Sequence, residues 1–474
     1  MKLTYEINAK PPKKLNLTFA FQQMIAIMAA TLLVPMLMTL AGLPSDPAAA
    51  LFGAGLGTVF YLLCTKFRSP VFLGSSFTFV PAYSASIAAG YGYWGVIIGV
   101  GFAFLTYALV SLIIKLVGSG WVNKLMPASI AGPIVALIGL SLAGTATGWM
   151  SSNGGDNYSL LYILVGIFTF FAIVYCSVRG SKSMKMFPFI FGVGAGYLLA
   201  LLFTLIGNAA GIAALQIISF DSFKEAFVPF TFSSILRIPD FYLVRAIATN
   251  GEYTLDGNAI LNMLFIYVPI AIVDLAQHVG DHKNLGNIVN RDLITDPGLH
   301  RTILGDGLGS FIGTMFGACA NTTYGESIAC TAITGNASTY TILTTCIGCM
   351  LLSLLTPFVA FLNSIPKCVI GGACVAMYGF ISVSGLQLLS KVDLGDNRNL
   401  YPVAAILVCG VGGLTLNFGH NPVTGGYLIS FTSLAVAMLV GILTKAIVGH
   451  GTENDSLGAS IKTLGELELT EEEK

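Results

Sequence analysis

Long apolar runs, separated by short polar connections, make up most of the chain. The clearest runs hold about 20 residues each, the length that a helix needs to cross ~30 Å of hydrocarbon. They cover positions 17–42, 47–65, 94–117, 160–178 and 186–206, and similar runs recur after position 259. We count about 14 segments, two of them shorter and interrupted. The pattern predicts an all-α, multi-pass membrane protein with those 14 transmembrane segments.

Two polar, glycine-broken stretches interrupt the apolar pattern at matching places. They read GSSFTFVPAYSASIAAG at positions 74–90 and GACANTTYGESIACTAITG at positions 317–335. Within them, SSFTF and ANTTY have strand character and precede helical stretches. Unpaired backbone at membrane depth must be buried in protein or line a wet cavity. We therefore expect segments 3 and 10 each to contain a short strand, the two strands to pair, and a half-helix to follow each strand.

A weak internal repeat links the two halves of the chain. MPASIAGPIVALIGLSLAG at positions 126–144 is similar to IPKCVIGGACVAMYGFISVSG at positions 365–385. Each unit would contain about seven segments. Because seven is odd, the second unit has the opposite orientation in the membrane. The sequence thus predicts 7+7 inverted repeats, joined by an external connection at positions 208–257.

Composition and charge placement agree with a membrane protein. Of 474 residues, 55% are hydrophobic and only 10% are charged, whereas soluble domains carry roughly 25% charged residues. Lys10, Lys13 and Lys14 precede the first segment, and Lys66 and Arg68 follow the second. Because cytoplasmic loops are enriched in such residues, we expect a cell inner membrane protein with both termini in the cytoplasm. Positions 449–474 then form an acidic cytoplasmic tail.

The eighth predicted segment carries four polar side chains among apolar ones. Their spacings of 3, 4 and 7 residues place them on one broad helix face. A charged side chain at mid-bilayer costs about 2.5–3.5 kcal/mol, so several of them predict a hydrated, protein-lined interior. The four residues are Asp274, Gln277, His278 and Asp281.

Glu326 lies where the second half-helix is predicted to start. An acid gains from the helix dipole there, but it must be desolvated, and we expect it to converge with the polar face. Interpretations without a role in binding or transport stay open for the other residues. Asp281 could be solvated together with His282 at a segment end, and His278 could be a structural hydrogen-bond partner. Asp274 could pair internally with another helix, and Phe77 could be ordinary core.

Nine cysteines are scattered along the chain, mostly inside predicted segments. The close pair Cys346 and Cys349 has no CxxC repeat or His cluster beside it, as a metal or redox centre would need. We expect the cysteines to pack as small apolar residues, and we expect no cofactor.

Four strings together resemble the nucleobase–ascorbate transporter family, and within it the bacterial uracil permeases. They are LGSSFTF at 73–79, GSGW at 118–121, HVGDHKNLGNIVNRDLITDPGLHRTILGDGL at 278–308 and NTTYGES at 321–327. DPGLHR and NTTYGE are highly specific in combination. The resemblance covers nearly the whole chain. It implies a core domain (1–120 and 258–363), a gate domain (121–257 with the external connection, and 364–448) and a homodimer.

The resemblance also implies roles for individual residues. Phe77 matches the residue whose ring packs on the base, and Gly325 supplies a backbone N–H. Glu326 matches the carboxylate that accepts ring N–H groups, and Tyr378 matches a gate residue facing the site. The expected substrate-binding set is Ser76, Phe77, Gln277, Tyr324, Gly325, Glu326, Ser327 and Tyr378, and the expected ion-coupling set is Asp274, His278, Asp281 and Glu326.

Three positions depart from the family pattern. Uracil permeases read Glu-His-Val-Gly-His where this chain has Gln277 and Asp281 in the first and last places, and Ser327 stands where the family has Asn. Gln offers a donor and an acceptor, whereas Glu offers acceptors only. We therefore expect a changed hydrogen-bond pattern at one edge of the base. Asp281 could carry a proton or lie near Na⁺, since oxygen ligands suit hard cations.

The resemblance implies proton-coupled symport of a nucleobase, either uracil or a purine such as xanthine, by alternating access. Sodium coupling is the alternative. An anion exchanger of the same architecture fits less well, because it would need a cationic or neutral lining in place of Glu326. A membrane enzyme is disfavoured because the sequence has no nucleophile elbow, metal-ligand set or cofactor motif. The expected partners are the base, the coupling cation and the lipid bilayer, with no nucleic acid.

Overall fold

Apolar helices account for most of the structure, a computed structural model that describes residues 3–121, 127–155, 158–181, 184–185, 187–249, 256–390, 392–420 and 427–449. Within these residues, eight helical stretches are long and apolar enough to cross a membrane. The predicted acidic tail lies outside the described residues, apart from Gly449. The chain is a multi-pass membrane protein.

The first half of the chain contains eight described helices and the external connection contains two. The first eight are α1 (Lys13–Leu40), α2 (Pro47–Cys64), α3 (Val80–Ala88), α4 (Gly92–Val117), α5 (Ala128–Ser141), α6 (Ala143–Ser152), α7 (Leu160–Val178) and α8 (Pro188–Ala210). The connection holds α9 (Asp221–Phe227) and α10 (Tyr242–Ala248).

The second half contains a further eight described helices. They are α11 (Gly257–Val289), α12 (Leu299–Met315), α13 (Gly325–Thr334), α14 (Thr339–Ser353), α15 (Thr356–Asn363), α16 (Lys367–Leu389), α17 (Asn397–Val411) and α18 (Ser433–Val448).

The long helices pack as two groups. In the first group, α2 and α4 pack on α12, α4 also packs on α11, and α14 packs on α1 and α2. In the second group, α16 packs on α5, α6 and α7, while α17 packs on α5 and α18. Each group therefore combines helices from both halves of the chain.

A short antiparallel strand pair joins the halves inside the first group. Strand β1 (Leu73–Ser75) pairs with β2 (Asn321–Thr323), with Leu73 opposite Thr323 and Ser75 opposite Asn321. The string SSFTF was expected to be the strand, but β1 starts earlier and only Ser75 of that string belongs to it. A 3-10 turn, Phe77–Phe79, follows instead and leads into α3. Pro81 in the first turn of α3 favours this early helix start.

The two half-helices run to opposite faces of the protein. The Tyr93 hydroxyl donates to the Pro44 carbonyl at 2.6 Å, so the segment after α3 lies at the C-terminal end of α1. The end of α13 lies at the opposite end of α1, because Tyr5 and Asn336 form a β-bridge there. With 28 residues, α1 spans about 42 Å between those ends. Helices α3 and α13 therefore point in opposite directions from the strand pair.

Outside the broken segments the chain was expected to be entirely helical, and a second strand pair shows that this expectation is wrong. Strands β3 (Leu416–His420) and β4 (Tyr427–Phe431) form an antiparallel hairpin before α18. The sequence between them, NPVTGG, is rich in turn-forming residues, and such a segment between β-prone runs favours a hairpin.

Candidate substrate site

The four polar residues of α11 lie in two adjacent rows. Asp274 and His278, one turn apart, are buried, with relative exposures of 0% and 1%. Gln277 and Asp281, also one turn apart, are partly accessible. The single polar face expected from the spacing is therefore divided into a buried row and an accessible row.

Asp274 is held by two hydroxyl groups. The Ser76 hydroxyl, directly after β1, donates to one carboxyl oxygen at 3.0 Å. The Tyr107 hydroxyl of α4 donates to the other oxygen at 2.8 Å. A buried carboxylate is costly unless such donors satisfy it. The interpretation that Asp274 pairs internally with other elements agrees with this geometry.

His278 is also fixed from both sides, by residues of α12. Its Nδ1 atom lies 2.6 Å from an oxygen of Asp306, and its Nε2 atom lies 3.0 Å from the Thr302 hydroxyl. The Asp306 side chain is 1% exposed, and its other oxygen has no hydrogen-bond partner among the described residues. This buried His–Asp pair matches the interpretation of His278 as a structural partner.

His282 is buried and is not solvated at a segment end. Its Nε2 atom lies 2.8 Å from the Tyr61 hydroxyl, and its Nδ1 atom lies 2.9 Å from the backbone oxygen of His278. The solvated alternative is therefore wrong for His282. Sequence reasoning also missed Asp306 and Tyr107. A lone acid inside the glycine-rich string ILGDGLGS was the available signal for Asp306.

Each residue of the accessible row bonds to one of the broken segments. The Thr78 hydroxyl donates to the Gln277 side-chain oxygen at 3.4 Å. The Thr323 hydroxyl, at the end of β2, donates to Asp281 at 2.7 Å. The turn after β1 and the end of β2 are thus tied to α11 beside its accessible face.

Glu326 lies in the first turn of α13 and is partly accessible. Asp281 accepts a hydrogen bond from Thr323, three residues before Glu326, and α11 packs on α13, so the two carboxyls lie in the same region. Two such carboxyls favour a state in which only one is charged, or one in which a cation or a donor lies between them. Glu326 and Asp281 therefore lie on neighbouring segments, and their convergence on one ligand stays a prediction.

The start of α13 offers open backbone donors beside this carboxyl. The N-cap residue Tyr324 makes no side-chain capping bond to the helix among the described residues, and the first N–H groups of a helix have no partner within it. Gly325 is exposed, and a Cβ atom added there would meet nothing within 4 Å. Free N–H groups next to open space can bind a hydrogen-bond acceptor on a ligand.

Two aromatic rings from different helix groups meet nearby. The Phe77 and Tyr378 rings contact edge to face, with centroids 5.6 Å apart and planes at 77°. Phe77 is 8% exposed and Tyr378 is 2% exposed. The Tyr378 hydroxyl has no hydrogen-bond partner among the described residues. The contact joins α16 of the second group to the broken segment of the first.

Three of the expected binding residues support the strand pair. The Tyr324 hydroxyl donates to the Ser75 carbonyl at 3.0 Å, and the Tyr324 ring lies against Gly74, where a Cβ atom would come within 2.3 Å of it. The Ser327 hydroxyl accepts from the Phe72 N–H at 3.0 Å and also contacts Gln23. Ser76, the third, donates to Asp274 as described above.

Membrane-crossing helices around two opposed half-helices, with accessible carboxyls at their junction, have the architecture of a transporter. The model of the Permease family matches residues 15–418. The chain therefore belongs to this family, the nucleobase–ascorbate transporters that its motifs resemble, and it is a permease and not an enzyme.

Comparisons with individual proteins agree with this membership. The chain is 36% identical over 451 residues to a uracil permease of Bacillus caldolyticus, which covers 94% of this chain and 95% of that protein. It is 33% identical over 444 residues to the uracil permease of Escherichia coli (strain K12), covering 92% and 94% respectively. The transmembrane domain of the cyanobacterium bicarbonate transporter BicA has the same fold, with a TM-score of 0.55 at 12% identity, covering 94% of this chain and 99% of that one.

Proposed function

We propose that this permease is a secondary transporter of the bacterial inner membrane that carries a nucleobase into the cell together with a cation. The proton is the favoured cation, and uracil or a purine such as xanthine is the favoured base. The observation that carries the proposal is the accessible Glu326 carboxyl beside the uncapped start of α13. The 36% identity to a uracil permease supports the same substrate class.

The chemistry of the site suits a flat, neutral ring with alternating N–H and C=O groups. Glu326 accepts ring N–H groups, and the Gly325 N–H meets a ring carbonyl. Because Thr78 donates to the oxygen of Gln277, the Gln277 amide NH₂ is left to donate to a second carbonyl. Phe77 packs on the ring. A base that leaves the buried acceptor unpaired loses roughly 1–3 kcal/mol.

Asp281 is the group that we assign to cation coupling. It is partly accessible, and it accepts a hydrogen bond from Thr323 of β2, three residues before Glu326. Asp274 and His278, by contrast, have their polar atoms occupied in the buried row. Binding of a proton to Asp281 removes a negative charge from the region of Glu326 and so favours binding of the base. Na⁺ is the second candidate, because the oxygens of Asp281 and Thr323 are ligands that hard cations prefer.

Transport itself follows from motion of one helix group against the other. We assign residues 1–120 and 258–363 to the core and residues 121–257 and 364–448 to the gate. The antiparallel β1–β2 pair and the opposite directions of α3 and α13 support 7+7 inverted repeats with 14 segments. An even number of segments leaves both termini on one side of the membrane, which we assign to the cytoplasm from the placement of basic residues. We expect a homodimer on the family resemblance.

An anion exchanger is the weaker candidate. The shared fold with a bicarbonate transporter favours it. Free helix N-termini also attract anions. Glu326 opposes it, since a carboxylate beside the same N–H groups repels an anionic substrate.

Uptake into proteoliposomes tests the proposal. Labelled uracil, xanthine, guanine and hypoxanthine are offered under imposed proton or sodium gradients. We expect one or more bases to accumulate with the proton gradient, and Glu326→Gln to lose this uptake. Glu225→Gln, which removes an exposed acid of the external connection, is the matched control. Uptake of labelled bicarbonate but of no base, or full activity in Glu326→Gln, would contradict the proposal.

A further inference from the structure

A cavity lies apart from the candidate substrate site, between the two helix groups. Its volume is about 570 Å³, and none of the residues assigned to the substrate site lines it. Residues of α3 form one wall, and residues of α5 and α6 form the facing wall. The size falls within the ~300–1,000 Å³ typical of pockets for small ligands.

The lining of this cavity combines apolar and hydroxyl-bearing side chains, and none of the described residues that line it is charged. Four of these residues carry hydroxyl groups on α3, α5 and α6. Ser141 and Ser152 donate their hydroxyls to carbonyls of their own helices. The side-chain hydroxyls of Ser84 and Thr145, on facing walls, have no hydrogen-bond partner among the described residues. The indole of Trp149 adds a flat apolar surface.

The cavity lies on the path from the outer face to the substrate site. Leu37 and Ala41, at the C-terminal end of α1, form its outer part. That end lies opposite the N-terminal segment, which we place in the cytoplasm. Val80 forms its inner part, one residue after the turn Phe77–Phe79. The cavity therefore reaches the broken segment that carries Phe77, whose ring contacts Tyr378.

We propose that this cavity is an outer binding site, which holds a neutral, planar, hydrogen-bonding ring before it passes the Phe77–Tyr378 contact. The inference rests on the proposed function, because it gives the same substrate class a second position. Ser84 and Thr145 pair with N–H and C=O groups of the ring from opposite walls, and Trp149 stacks on its face. An uncharged lining gives no partner to a desolvated ion and so selects neutral molecules. The site forms only while core and gate are apart on the outer side.

Protection of an introduced cysteine tests this outer site. Thr145→Cys is treated from outside with a membrane-impermeant thiol reagent, with and without uracil, and with xanthine in parallel. We expect one of these bases to slow modification of the introduced cysteine at least threefold. The same slowing is expected when Thr145→Cys is the only substitution and when it is combined with Glu326→Gln. Thr147→Cys is the matched control, because Thr147 is exposed on the same helix and does not line the cavity.

Each contrary result overturns the outer site. Absence of modification would show that Thr145 does not face an open cavity, and absence of protection would show that the base does not bind there. Protection that requires Glu326 would reflect closure after binding at the inner site. Equal protection of Thr147→Cys would show a nonspecific effect.

Uptake kinetics give an independent measurement. We expect Thr145→Val and Ser84→Ala each to raise KM for uptake from outside about three- to tenfold, the effect of one lost neutral hydrogen bond, with the maximal rate unchanged. Thr147→Val should keep the parental KM. If the parent chain takes up no base at all, the proposed function fails. If it takes up a base and these variants keep the parental KM, the outer site alone fails.

Discussion

The Thr323 hydroxyl donates a 2.7 Å hydrogen bond to the Asp281 carboxylate. Thr323 is the last residue of β2, two residues before α13 begins, and Asp281 lies on α11. The bond therefore connects the residue that we assign to cation coupling with the half-helix that carries Glu326. A change in the charge of Asp281 would therefore alter a bond to the segment that leads into the half-helix of Glu326.

Removing this hydroxyl should weaken coupling. In Thr323→Val, Asp281 loses its donor, and a hydrogen bond to a charged group contributes about 1.5–3 kcal/mol. We expect the accumulation of base driven by the cation gradient to fall about tenfold, while exchange of internal for external base continues. Thr323→Ser keeps the hydroxyl and should retain coupling. Equal accumulation by the Val and Ser variants would show that the bond has no part in coupling.

The buried pair of His278 and Asp306 should matter for stability. In His278→Leu, Asp306 keeps its place in the interior without its imidazole partner, and breaking a buried pair in this way costs about 3–5 kcal/mol. We expect a marked loss of thermal stability in detergent. His300→Leu, at a partly exposed position, should change it little.

A double substitution separates this pair from a simple loss of packing. His278→Leu combined with Asp306→Leu removes both partners, so its effect should be smaller than the sum of the two single effects. Additive effects would mean that the two side chains do not stabilise each other.

Two glycines should respond differently to the same small change. Gly74→Ala places a methyl group 2.3 Å from the Tyr324 ring, so we expect poor folding and low yield from size-exclusion chromatography. Gly325→Ala meets nothing within 4 Å and should fold normally. Its methyl group projects into the space that we assign to the base, so KM should rise about tenfold or more. Normal transport by Gly325→Ala would place the base elsewhere.

Gln277 should set the preference among bases. Gln277→Glu replaces a side chain that donates and accepts with one that only accepts. We expect the preference to shift towards uracil, which the family pattern with Glu at this position implies. The measurement is competition of unlabelled bases against labelled uracil in the variant and the parent chain. An unchanged order of competition would remove Gln277 from the base-binding site.

Local sequence predicted the long helices well. The apolar run at 160–178 coincides with α7, since the length and composition of a membrane helix are properties of a continuous segment. The predicted position of β1 was less accurate. Phe77–Phe79 has strand propensity, but it forms a 3-10 turn that leads into the helix with Pro81 in its first turn. The β3–β4 hairpin was missed within a stretch assigned to membrane segments.

The site was predicted in part. Helix spacing singled out Gln277 and Asp281, and the interrupted segment singled out Glu326, and all three are partly accessible in the structure. Asp306 was missed because its partner is 28 positions away on another helix, and periodicity within one helix carries no information about such a pair. Tyr324 and Ser327 were expected to contact the base, but their hydroxyls bond to neighbouring segments and support the strand pair.

By itself, the sequence determined that this protein crosses the membrane many times, that two segments are interrupted, and that acids lie beside them. These features depend on hydropathy and on short strings, which act locally. Only the tertiary structure decided which polar side chains of α11 are buried with partners and which remain accessible. That division depends on which neighbouring helix or strand supplies a partner, and such partners lie 24 to 199 positions away in the sequence.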